Sequence, residues 1–117
     1  MQRSTQSGFK SVSDSNCPVA LRLKQARLQH GISQRNLGIA AGIEASSSSA
    51  RMNQYERGKH VPDYDTLVKL AAVLDVPVGY FYCADDKDAA FMLNYHQLRE
   101  QQQNHVRTLL ERINFDA

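Results

Sequence analysis

The sequence predicts an all-α chain. Apolar residues recur at helical spacing along most of its length, serine or aspartate starts and glycine stops punctuate them, and no strand signal is strong enough to place. Residues 1–16, "MQRSTQSGFKSVSDSN", are polar and lack apolar periodicity, which predicts a disordered N-terminal arm. From Pro18 the pattern changes: Val19, Leu23 and Ala26 keep helical spacing, with Leu21 and Leu28 beside them, and Gly31 ends this first helix. Ser33 is the candidate N-cap of a short second helix, "SQRNLGIAAG", ending at Gly42. Gly38 in its middle costs roughly 1 kcal/mol against alanine, a cost that a close helix–helix approach would justify.

A third helix closes in "RMNQYERG", with Met52 and Tyr55 inward and Gly58 as its stop. Pro62 and a capping Asp63 open a fourth, in which Leu67, Leu70, Ala71 and Leu74 form an i, i+3, i+4, i+7 stripe. "PVGYFYC" is expected to be a short, aromatic fifth helix. Beyond "ADDKD", Phe91, Tyr95 and Leu98, then Val106, Leu109, Leu110 and Ile113, mark two further amphipathic segments. The expected organisation is an arm over 1–16, a domain over 17–83 and a helical extension over 84–117 that is the candidate dimerisation element.

A chain of 117 residues is long enough to bury one real core. Its net charge of +2 conceals a division. Residues 17–62 hold seven basic and two acidic side chains, which is +5, whereas residues 63–117 hold five and nine, which is −4. Such a split suggests one face that meets a polyanion. Cys17 and Cys83 are far apart and in no metal-ligand spacing, His30, His60, His96 and His105 are equally scattered, and no phosphate-binding glycine loop or nucleophile motif occurs. No cofactor, metal or catalytic residue is therefore expected. No apolar stretch approaches the ~20 residues of a membrane span, and the N-terminus has no signal-peptide core, so the expected location is cytoplasmic.

Two short helices joined by a glycine turn suggest helix-turn-helix geometry. "LRLKQARLQHGISQRNLGIAAGI" followed by "MNQYERGKHVPDYDTLVKLAAVLDVPVGYFY" closely resembles the phage repressor/Cro-like, XRE-type helix-turn-helix family. The resemblance runs from about Ala20 to Tyr82, and several segments agree in order: Gly-x-Ser-Gln, Tyr-Glu-x-Gly, Pro-x-x-x-Thr-Leu-x-x-Leu-Ala and Val-Pro-Val. It implies a five-helix, lambda-repressor-like DNA-binding domain carrying a C-terminal helical extension.

One departure stands out. Gly42 and Tyr55 are thirteen positions apart, about four more than the family pattern, and the excess falls in "EASSSS". Two readings follow: an enlarged turn over Glu44–Ser46 with the third helix entering at a capping Ser47 or Ser48, or a full extra helical turn starting at Glu44. Serine's preference for helix starts favours the enlarged turn.

In this family the third helix lies in the major groove. Counted back from Tyr55, the resemblance implies base contacts from Ser48, Ser49, Ala50, Asn53 and Gln54, with Arg51 on the same turn. It assigns Gln34, Arg57 and Lys59 to phosphates and makes Arg27 and Glu56 a structural pair between the first and third helices. Arg22, Lys24 and Arg35 are left to general electrostatics or surface. The implied partner is double-stranded DNA, met by a homodimer whose two-fold pairing spans half-sites about 34 Å apart, and the implied function is a sequence-specific transcriptional regulator, most simply a repressor. The rival reading is an antitoxin-like module that grips a protein partner through its extension.

Overall fold

A computed structural model describes residues 17–116; the arm expected over 1–16 lies outside them. The described residues form six α-helices and no strand: α1 (Val19–His30), α2 (Gln34–Ala40), α3 (Ala45–Glu56), α4 (Tyr64–Leu74), α5 (Asp86–His96) and α6 (Glu100–Asp116), with a 3-10 segment at Val78–Tyr82 between α4 and α5. The chain is all-α, as its periodicity predicts.

Local chemistry accounts for most boundaries. Gly31 ends α1 in the left-handed region at φ 78°, where its N–H reaches the carbonyls of Arg27 and Leu28. Ser33 caps α2 by accepting from the Asn36 N–H at 3.0 Å. Asp63 caps α4 in the same way through Thr66, at 2.9 Å, and the hydrogen bonds from Thr66 hold its carboxyl below the usual carboxylate range. Asp85 caps α5 through Lys87 and Asp88.

The start of α3 and two other features differ from expectation. The second helix stops at Ala40 rather than Gly42, since its C-terminal amides already bend into the turn. The "PVGYFYC" segment is a five-residue 3-10 helix, not an α-helix. Pro77 brings no N–H to its start, Gly79 weakens its middle, and so short a piece gains little from α-helical propagation.

The core lies where α1, α2, α3, α4 and the 3-10 segment converge. Leu23, Leu37, Met52, Leu67, Leu70 and Phe81 are fully buried there, each worth about 1.5–3 kcal/mol relative to exposure. Leu21 and Leu28 fall outside the buried stripe of α1 and face solvent. At the far end, α5 inserts Ala89 and leans Met92 and Leu93 on the core, but no residue of α6 is fully buried. Half-buried Val106 shares an apolar hollow with Phe91, Tyr95 and Leu98, the Gln103 amide donates to the Tyr95 carbonyl at 2.9 Å and the Arg107 guanidinium donates to the Tyr95 hydroxyl. Ala89, Met92 and Leu93 thus seat α5 against the head, and α6 stands apart from it.

Candidate nucleic-acid interface

The helix-turn-helix unit is α2 and α3 with the turn between them. Gly42 turns the chain at φ 99°, and the Ile43 N–H closes the turn on the Gly38 carbonyl at 2.9 Å. Glu44 is extended and Ala45 is already helical. The enlarged turn over Glu44–Ser46 is therefore not formed, and neither Ser47 nor Ser48 is an N-cap; α3 has the full extra turn instead. Glu44, in the cap position, makes no side-chain cap hydrogen bond.

The intrinsic cost of four serines in a helix is only about 2 kcal/mol, and tertiary packing outweighs it. Ser48 is fully buried, and its hydroxyl donates to the Arg35 carbonyl at 2.7 Å. It occupies the space that Gly38 leaves: a Cβ on Gly38 would come within 2.0 Å of the Ser48 Oγ and 3.0 Å of the Met52 Cγ. The close approach expected of Gly38 is this one, a polar side chain of α3 seated against the bare backbone of α2.

Ser48 consequently leaves the base-reading set, because a hydroxyl sealed between two helices cannot reach a base edge. Burial of Ser48 and Met52 fixes the opposite side of α3 as its outward face, since positions four apart share a side. Ser46, Ala50 and Asn53 lie there, with Ser49 and Gln54 flanking them, and all five are exposed together with Arg51. Ser46 is the position that reasoning from an enlarged turn missed. The signal was available in the insertion length: four residues make about one turn of 3.6, so they lengthen α3 without rotating the face counted back from Tyr55.

The C-terminal end of α3 is anchored from behind. Arg27 grips Glu56 with both arms of its guanidinium, Nε to Oε2 at 2.5 Å and Nη2 to Oε1 at 3.0 Å, and gives its third nitrogen to the Ile32 carbonyl at 3.0 Å. Both side chains are largely buried. Glu56 Oε1 also accepts from the Gln34 amide at 3.0 Å, and the same amide reaches the Asn53 Oδ1 at 3.5 Å. Gln34 thus buttresses Glu56 and reaches Asn53 at the surface.

The cations divide into two groups. Among the described residues, Arg35, Arg51, Arg57 and Lys59 are exposed and form no ion pair. Arg22, expected at the surface, is 3% exposed and donates to the Cys83 carbonyl at 2.7 Å. The charge division of the sequence therefore overstates the basic surface, since Arg22 and Arg27 are spent inside. No group of His, Cys, Asp or Glu able to hold a metal occurs among the described residues, and no helix there is long and apolar enough to cross a membrane.

A buttressed helix with a polar outward face and unpaired cations at its end defines a helix-turn-helix DNA-binding head. A helix-turn-helix family model matches residues 23–81. The uncharacterized HTH-type transcriptional regulator YqaE of Bacillus subtilis (strain 168) is 32% identical over 69 residues, 59% of this chain and 56% of that protein, so the chain spans about half the length of this relative. The crystal structure of the transcriptional regulator BswR superposes with a TM-score of 0.76 at 41% identity, covering 80% of this chain and 92% of that one. The chain belongs to the XRE-type helix-turn-helix family, which is defined by a DNA-binding domain.

Proposed function

We propose that this transcriptional regulator is a repressor that binds a two-fold operator as a homodimer, reading bases with the outward face of α3. The observation that carries the proposal is that α3 is packed by Ser48 and Met52 on one side, exposes Ser46, Ala50 and Asn53 on the opposite side, and exposes Ser49, Arg51 and Gln54 along its flanks. Asn53 and Gln54 suit adenine, which accepts one hydrogen bond from either amide at N7 and donates one to it from N6, and Arg51 suits guanine. Arg57 and Lys59, just past the helix, suit the phosphates that fix the register of the head on the duplex. Repression needs no surface beyond these, because a bound protein excludes others from the same DNA.

The phosphate assignment has a measurable consequence. Arg57→Ala or Lys59→Ala is expected to weaken binding to all sequences alike and to lower the salt slope of log K by about one unit for each contact removed. Titration against operator and random duplexes at several salt concentrations checks this. A loss confined to one sequence with an unchanged slope would remove either residue from the phosphate set.

Pairing is assigned to α6. Leu109, Leu110 and Ile113 are 43–54% exposed on a helix with no fully buried residue, and a second copy would cover them. A single head of this kind makes too few contacts for tight binding, whereas two linked heads share one binding event. Leu110→Glu combined with Ile113→Glu is expected to convert a sedimenting dimer into a folded monomer with weakened operator binding. A variant that remains dimeric would place the interface elsewhere, and a wild-type chain that purifies with a small protein bound at α6 would favour the antitoxin-like reading.

A further inference from the structure

Arg22 is buried within the head yet directs two of its three nitrogens at the segment between the 3-10 helix and α5. Its Nε meets the Cys83 carbonyl at 2.7 Å, Nη2 meets the Ala84 carbonyl at 3.2 Å and the Asp86 carboxylate at 3.0 Å, and Nη1 meets the Gln25 side chain at 3.0 Å. Cys83 closes the 3-10 segment and Asp86 opens α5, so one guanidinium spans the bend between the two elements. A buried arginine carries a heavy desolvation cost that only full hydrogen bonding offsets. Here the partners are carbonyls at the end of a helical segment, which lack intrahelical donors, and a planar fork is the group that can hold two of them at a fixed angle. An apolar side chain would fill the space without specifying that angle.

We infer that Arg22 is the positioning residue that sets the direction of the α5–α6 arm relative to the DNA-binding head, and through it the spacing of the two half-sites. The inference rests on the two-fold reading above. Its leverage comes from length: α6 has 17 residues, or roughly 25 Å at 1.5 Å per residue. A swing of about 10° at the bend moves the tip of such an arm by about 4 Å, more than the ~3.4 Å step between base pairs. Ala89, Met92 and Leu93 hold α5 on the core by apolar contact, which resists separation better than pivoting, and at its far end an exposed 3.3 Å bond from His96 to Asp75 adds to them.

The test uses the full chain and a set of duplexes carrying two half-sites at graded spacings, together with a duplex carrying one. Wild type is expected to favour one spacing by about tenfold over a spacing two base pairs different, whereas Arg22→Met should discriminate by no more than about threefold, with single half-site binding within about twofold of wild type. Arg22→Lys, which keeps the charge but not the fork, should fall between them. Asp86→Ala alters only an exposed side chain, so it keeps the test open where melts show Arg22→Met unfolded, and it should broaden the spacing profile in the same direction. Wild-type sharpness retained in these variants would overturn the role of Arg22 alone. A wild type with no spacing preference at all would overturn the two-fold reading and, with it, this inference.

Discussion

Replacing Glu56 with alanine is expected to cost about 3–5 kcal/mol of folding stability, the range for removing one partner of a buried ion pair. The physical reason is what remains: Arg27, 13% exposed at its side chain, keeps only the Ile32 carbonyl, and the Gln34 amide loses its shorter bond. The same substitution frees the C-terminal end of α3 from α1, so affinity for all DNA should fall with stability. Chemical denaturation checks the size of the effect. Arg27→Met together with Glu56→Leu should cost far less than Glu56→Ala, because no buried charge is left without a partner. A loss below 1 kcal/mol for Glu56→Ala would mean that water replaces the pair, and that it does not clamp the recognition helix.

Gly38→Ala sets two effects of opposite sign against each other. Helix propensity favours alanine by about 1 kcal/mol. Against it stands a Cβ placed 2.0 Å from the Ser48 Oγ, which must displace a fully buried hydroxyl from the Arg35 carbonyl or force α2 and α3 apart. Overpacking costs about 1–3 kcal/mol and an orphaned buried polar group a similar amount, so the net expectation is a loss of about 2–3 kcal/mol. Ser48→Ala in the same chain removes the nearest obstacle but leaves the approaches of 3.0 and 3.2 Å to Met52 Cγ and Ser48 Cβ. The double variant should therefore recover about half of the loss. Thermal melts of the two single variants and the double variant measure the coupling, and additive losses would show that the two residues do not share one contact.

This pair also shows where the sequence was legible. A glycine in the middle of a helix announced a close approach, and the fourth-helix stripe and its aspartate cap could be read residue by residue, because each depends on neighbours within one or two turns. The family's linear motifs placed the third helix from its C-terminal end for the same reason. What failed was the start of that helix. Serine's local preference for caps pointed to an enlarged turn, whereas the seat for Ser48 is made by Gly38 and Arg35, ten and thirteen residues away on another helix. Arg22 was misplaced in the same manner: its partners lie 61 and 62 positions on, and nothing in the neighbouring residues distinguishes an arginine that clamps carbonyls from one that decorates a surface. The "PVGYFYC" segment differs again, since its place as a short helical piece could be read but five residues do not decide between helix types.

The central claim is that the outward face of α3 reads sequence, and selection of binding sites from random DNA by the full chain tests it most directly. The predicted result is enrichment of a motif with two-fold symmetry, in which Asn53→Ala or Gln54→Ala relaxes the preference at one base pair of each half, at a cost of about 1–3 kcal/mol on the cognate site and little on non-specific DNA. Ser46→Ala, on the same face one turn earlier, is predicted to change the preference at an outer position without loss of stability. No enrichment of any sequence, or recovery of an unaltered motif by all three variants, would contradict the claim.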